Sequence, residues 1–400
     1  MLALAVCLAA LASPSLHAAS ATPPAPYVDL HAHLFMDRGM GPLFIGSFRG
    51  PIRATRWSDR FSSQINEDTL ESSGIGLMVA ALYAHPILEP DRRESIRRQL
   101  ADARAFVATH ADWVIARTPA EARAGVAAGR RVLVLSLENA GGILESESDL
   151  REFVDGDGIS IVTLAHLTDS DLSGAALMPG YHVLGNPLAM AGSWLEPESS
   201  DGARLNPRGL SPRGRDIASA LIARRVWLDL THSPEATLAE LVPMLREAGQ
   251  PLLFTHVGMR DYERAEREIS DSRLDEVRET GGIVGLLPDE SIVGATPSAP
   301  AAGAACRGGV YALAAQFDAL AAKIGDSHVF LGSDFSGMSL HLKPVRGCPT
   351  GTSLDARGFY HIGQTPELWA TLARSGARAH EATTNAIENF ISTWARIRGE

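Results

Sequence analysis

The first twenty residues, MLALAVCLAALASPSLHAAS, contain neither lysine nor arginine. An apolar run followed by small residues otherwise has the make-up of a secretory signal. Residues 1–19 are read as that signal, cut near Ala18 or Ala19, without the usual basic start; a misplaced start codon or a segment that is no signal are the alternatives. A lipid-anchored Cys7, preceded by Val6, fits less well. Beyond this segment no run of 18 apolar residues occurs, so no spanning helix is expected. Basic charge is also short. With 36 Lys and Arg against 47 Asp and Glu, the net charge is −11 and the pI near 5.6, which argues against a nucleic-acid partner. Cysteine is scarce: of three, only Cys306 and Cys348 remain once a signal is removed. Both lie in Gly/Pro-rich sequence, and in a periplasmic or secreted chain they read as a disulfide, with two free thiols as the alternative.

What is present is alternation. Residues 20–26 read as a linker, and from residue 27 short apolar runs alternate with amphipathic ones. Strands are expected at 27–33, 75–84, 131–138, 160–167, 226–232, 251–256, 281–287 and 328–335, with helical segments such as 92–110, 213–225 and 234–249 between them. Eight such units over 27–400 predict an α/β fold of one catalytic domain, a (β/α)8 TIM-like barrel. The Gly/Pro/Ser-rich stretch 170–212 is long for a connection and reads as a functional insertion, closing over a substrate.

In such barrels the chemistry lies at the C-terminal ends of the strands. There the sequence puts His31 and His33, Glu138, His166, His232, His256 and Asp334. Seven nitrogen and oxygen donors are too many for one tetrahedral ion and suit two adjacent divalent ions. Glu138, at the end of a buried run, is the natural bridge; His31, His33 and Asp334 would hold one ion, His232 and His256 the other. The absence of cysteine from the set favours Zn, Mn, Co or Fe. A water shared by two such ions loses its proton near neutral pH and becomes a nucleophile. Blander roles stay open: Glu138 or His232 capping a helix, His166 packed in the core.

With these residues in place, the chain resembles the membrane (renal) dipeptidase family of the amidohydrolase superfamily. The sharpest block is GLSPRGRDIASALIARRVWLDLTHSPEATL (209–238), similar to a Gly-Leu-Thr-x-x-Gly stretch running through a helix into Asp-Leu-Ser-His. PLLFTH, GGIVGLL and LGSDFSG follow in the family's order, and 359–376 and 387–394 resemble its closing helices. The resemblance implies a metal-dependent hydrolase with two zinc ions on His31, Glu138, His232, His256 and Asp334, acting on a dipeptide, and a homodimer. It implies that His166 touches the substrate carbonyl and that Arg267 takes the substrate carboxylate; an Arg on a charged helix face is the alternative. Asp334 is expected to shuttle the proton from water to leaving amine. Two positions depart from the family. His33 replaces an Asp, and Glu268 follows Arg267 where Asn is common, with Glu266 before it. Another amide or ester therefore stands beside the dipeptide as substrate, and a barrel that binds without catalysis is the third reading.

Overall fold

The computed structural model describes residues 27–36, 63–178, 185–195, 198–293, 296, 306, 309–375 and 378–400. The expected signal and linker, and part of the 170–212 insertion, lie outside these residues.

Among the described residues nine strands run parallel. They are β1 (Tyr27–Ala32), β2 (Ile75–Tyr83), β3 (Trp113–Ile115), β4 (Arg131–Glu138), β5 (Ile161–Val162), β6 (Trp227–Leu228), β7 (Leu253–Val257), β8 (Ile283–Leu286) and β9 (Val329–Leu331). Their order is β6-β5-β4-β2-β1-β9-β8-β7, with β3 paired to β4 off this path. Among the described residues a single bridge, Asp229↔Leu253, carries the sheet from β6 to β7 and nearly closes it into a barrel of eight strands. The eight expected strands are all present, and β3 is an addition. It lies along residues 131–133 of β4, whereas β5 takes up residues 136 and 137 of the same strand. Strands β5 and β6 are only two residues long, much shorter than their apolar runs.

All residues of β1, β2, β7, β8 and β9 are buried, as expected where helices cover a parallel sheet. Along β4, Val132 and Val134 share a face with Ser136 and Glu138. This face is apolar near the strand start and polar near its end. The apolar part joins Val28, Leu77 and Trp227 to Phe390, Ile391 and Trp394 of the closing helix Ala386–Arg398, which caps the strand starts. Function is thereby left to the opposite rim. Cys306 and Cys348 form a disulfide with Cα atoms 4.9 Å apart. It ties the segment before the helix Gly309–Ile324 to the loop after β9.

Candidate metal centre

The two halves of the rim meet at β1 and β9. Asp29 accepts from the backbone N–H groups of His31 (3.1 Å) and Ser333 (2.9 Å). Asp334 N donates to His31 O at 2.8 Å, and His33 N to Phe335 O at 2.9 Å. The ladder slips in register between Asp29 and Ala32 on β1, and again between Phe254 and Val257 on β7. Such irregularities re-aim side chains, and His31 and His256 lie within them. His232 and Asp334 adopt left-handed backbone, φ 65° and 49°, conformations that cost energy and gather at functional sites. At Gly337 an added Cβ would lie 2.0 Å from Asp334 Oδ1, so only glycine lets the backbone pass this closely.

Five imidazoles converge on Glu138. Its Oε2 is 3.4 Å from His33 Nε2, and its Oε1 is 3.3 Å from His232 Nε2 and 3.6 Å from the Nε2 atoms of His31, His166 and His256. Asp334 Oδ1 is 3.1 Å from His33 Nε2 and 3.8 Å from His31 Nε2. Its Oδ2 accepts from Ser339 Oγ. The Nε2 atoms of His31 and His33 are 3.3 Å apart, and those of His232 and His256 3.0 Å apart. Burial alone would raise the Glu138 pKa, but His166, His31 and His232 hold it well below the usual carboxylate value. Burial likewise opposes ionisation of Asp334, and His33 reverses the balance downward. Burial keeps His166, His232 and His256 below the ordinary imidazole value, the last two well below it. Neutral imidazoles offer lone pairs. For His31 burial pulls the same way, but Glu138, Asp334 and Asp229 together outweigh it and the net shift is upward.

The donor set suits cations. Glu138 is buried, and its Oε1 has no hydrogen-bond partner among the described residues. Such an atom is costly unless something positive satisfies it. Three ligand-like groups lie within 4.8 Å: His31, His33 and Asp334; Glu138, His166 and His232; and His31, Glu138 and His256. The capping alternatives do not describe the arrangement. No helix begins directly after Glu138, and the helix Glu235–Glu247 has no side-chain cap from His232. The Glu235 N–H is taken at 3.0 Å by Glu266, whose other oxygen holds the N–H groups of Leu177 and Asn206.

A cavity of about 330 Å³ opens onto these groups, within the usual range for small-molecule sites. His33, Glu138, His166, His232, Arg267 and Asp334 line it, with Tyr83, His85 and Asp289 among the walls. Met178 and Gly185 bring the insertion to its edge, beside Thr168. Arg267 is not on a helix face. It is buried in the loop between β7 and the helix Asp271–Thr280. Its Nη2 donates to His256 O at 2.8 Å, and Nη1 lies 3.5 Å from Glu268. Glu266 turns away from this guanidinium, and Glu268 backs it. His85 had no signal in the sequence beyond its type. Its Nδ1 accepts the N–H groups of Ile87 and Leu88, which places the ring proton on Nε2.

Comparison with known proteins agrees with this architecture. A family model described as membrane dipeptidase, peptidase family M19, matches residues 22–398. An uncharacterized dipeptidase of Schizosaccharomyces pombe is 24% identical over 262 residues, 65% of this chain. The chain spans about half the length of the curated relatives it matches, 52% of this one. Among solved structures, the dipeptidase AC, a metallopeptidase of family M19, superposes with a TM-score of 0.67 at 18% identity, covering 94% of this chain and all of its own. A metallopeptidase from Rhodobacter sphaeroides, liganded with a phosphinate mimic of the dipeptide L-Ala-D-Ala, superposes with a TM-score of 0.65 at 17% identity. That match covers 93% of this chain and 99% of the other. A barrel of eight strands with histidines and carboxylates gathered on one rim, matched along almost its whole length by one family model, belongs to the membrane dipeptidase family.

Proposed function

We propose that this chain is an exported metal-dependent dipeptidase that works with two divalent ions, zinc by preference. The observation that carries the reading is Glu138, whose two oxygens face different sets of imidazoles. His31, His33 and Asp334 would hold one ion, His232 and His256 the other, and Glu138 would give one oxygen to each. Ions bound there would polarise a carbonyl and acidify a water near neutral pH. Asp334 Oδ1 takes the proton released by the attacking water and returns it to the leaving amine, while Ser339 keeps the other oxygen in place. His166, 3.6 Å from Glu138 Oε1, would face the substrate carbonyl and support the developing negative oxygen. Arg267 meets the free carboxylate of the dipeptide. Cavity walls such as Met36, Leu167 and Met178 exclude bulk water around the bond. The signal-like start and the disulfide support export.

A second reading is the same centre acting on another amide or ester. It draws on Glu268, which at 3.5 Å offsets the charge of Arg267, and on His33, a neutral donor where an anion is usual. The deciding experiment is hydrolysis by the zinc-loaded protein of L,L- and L,D-dipeptides and their C-terminal amides. Turnover confined to free acids and lost in Arg267→Ala supports the dipeptidase. Turnover of the amides at equal rates, unchanged in that variant, replaces it with the second reading.

A further inference from the structure

Among the five histidines, Nδ1 of His33, His166 and His232 has no hydrogen-bond partner among the described residues. His31 and His256 differ, and they share one partner. Thr255 Oγ1 lies 2.9 Å from His256 Nδ1 and 3.3 Å from His31 Nδ1. The same hydroxyl donates to Asp229 Oδ2 at 2.6 Å. A hydroxyl has one proton and two lone pairs, and a carboxylate only accepts. With the Thr255 proton committed to Asp229, its lone pairs face the two rings and, farther off at 3.5 Å, the Thr231 hydroxyl; the rings are the nearer donors, each presenting N–H at Nδ1. The lone pairs of both imidazoles then sit on Nε2, facing Glu138 at 3.6 Å.

We propose that Asp229 and Thr255 are positioning residues that lock His31 and His256 in the metal-binding tautomer. This rests on the reading of both histidines as metal ligands. Asp229 is fixed in turn: Oδ1 accepts the N–H groups of Thr231 (3.0 Å) and Thr255 (3.1 Å), and Oδ2 also accepts from Thr163 Oγ1 at 3.0 Å. Thr255 is held as tightly. An added Cβ at Gly285 of β8 or at Gly332, just after β9, would come within 1.9 Å of Thr255 O, so two glycines let the backbone pack this closely against the residue. One hydroxyl thereby sets two donors, one from each half of the rim.

The test uses the full-length, zinc-loaded, 15N-labelled chain. Thr255→Val keeps the branched shape and the backbone bonds but removes the hydroxyl. Zinc affinity, read by chelator competition, falls about 10- to 100-fold, and the Nδ1–H resonances of His31 and His256 disappear through exchange. Thr255→Ser restores both. Asp229→Asn inverts the logic. Its amide donates to Thr255, the freed hydroxyl proton turns to one ring, and one of the two Nδ1–H resonances is lost although the Asn oxygen still accepts the backbone N–H groups. Thr255→Val with unchanged zinc affinity and both resonances intact overturns the proposal. A wild-type chain that holds no zinc but shows both resonances refutes the metal reading and leaves the tautomer lock standing.

Discussion

Gly337→Ala probes the centre without changing any polar atom. The ideal Cβ would sit 2.0 Å from Asp334 Oδ1 and 2.7 Å from His33 Cδ2, against the 3.4 Å at which ordinary contact begins. The carboxylate oxygen must retreat by about 1.4 Å, and its 3.1 Å contact with His33 cannot survive that movement. Gly337 is not a left-handed position, so the backbone itself tolerates alanine. Overpacking of this kind costs about 1–3 kcal/mol of stability. If Asp334 carries the proton, a misplacement of about 1 Å costs roughly 100-fold in rate, or about 2.7 kcal/mol of activation free energy. The assay is steady-state hydrolysis of a free-acid dipeptide at full zinc loading, with a thermal melt to confirm folding. The expected result is a large fall in kcat with KM little changed. A kcat within about threefold of wild type, in a variant whose metal content is intact, would refute the role given to Asp334.

Other substitutions test separate parts of the scheme. Asp334→Asn should keep most of the bound zinc, measured by elemental analysis, while turnover disappears; full activity would remove Asp334 from the chemistry. Glu268→Gln frees the Arg267 charge, so KM for free-acid dipeptides should fall while KM for their amides stays put; equal shifts in both would show that Arg267 does not meet a carboxylate. Burial raises Glu266 to about 7 against a usual value of 4.5, overriding three backbone N–H groups. Between those two values the folded chain holds the proton that the unfolded chain has released, so stability falls as pH rises through this window, by roughly 3 kcal/mol in all. Urea midpoints at pH 5 and pH 8 should therefore differ less for Glu266→Gln than for wild type, and equal differences would count against that burial penalty.

Strands read from the sequence appear because buried parallel strands are continuous apolar runs, as in RVLVLSLE of β4. The centre was legible for a related reason: His31, Glu138, His256 and Asp334 stand at or just beyond strand ends. Two things were not. Trp113–Ile115 is too short to show a pattern and is a strand only because β4 offers it an edge. The runs at 160–167 and 226–232 are regular strand for two residues each, and irregular backbone beyond them carries His166 and His232 to the rim. The charged stretch around Arg267 has the composition of a helix surface. It is a loop because Arg260 is buried within it, bonded to Glu235, Asp201 and the carbonyls of Glu266 and Glu268. Thr255, Asp229 and Gly337 carry no ligand signature, since they act through neighbours that only the fold supplies.

The gap between β6 and β7 has a further consequence. Only one bridge crosses it among the described residues, and side chains do the rest: Thr255 N donates to Asp229 Oδ1 and, at 2.9 Å, to Thr231 Oγ1. His232 stands on one bank and His256 on the other. An ion held by both, as proposed, would rivet this joint of the barrel, and occupancy and mechanical closure would become one equilibrium. Chelation should then loosen this joint before any other part of the sheet, and amide protons on β7 should exchange faster well below the global unfolding temperature.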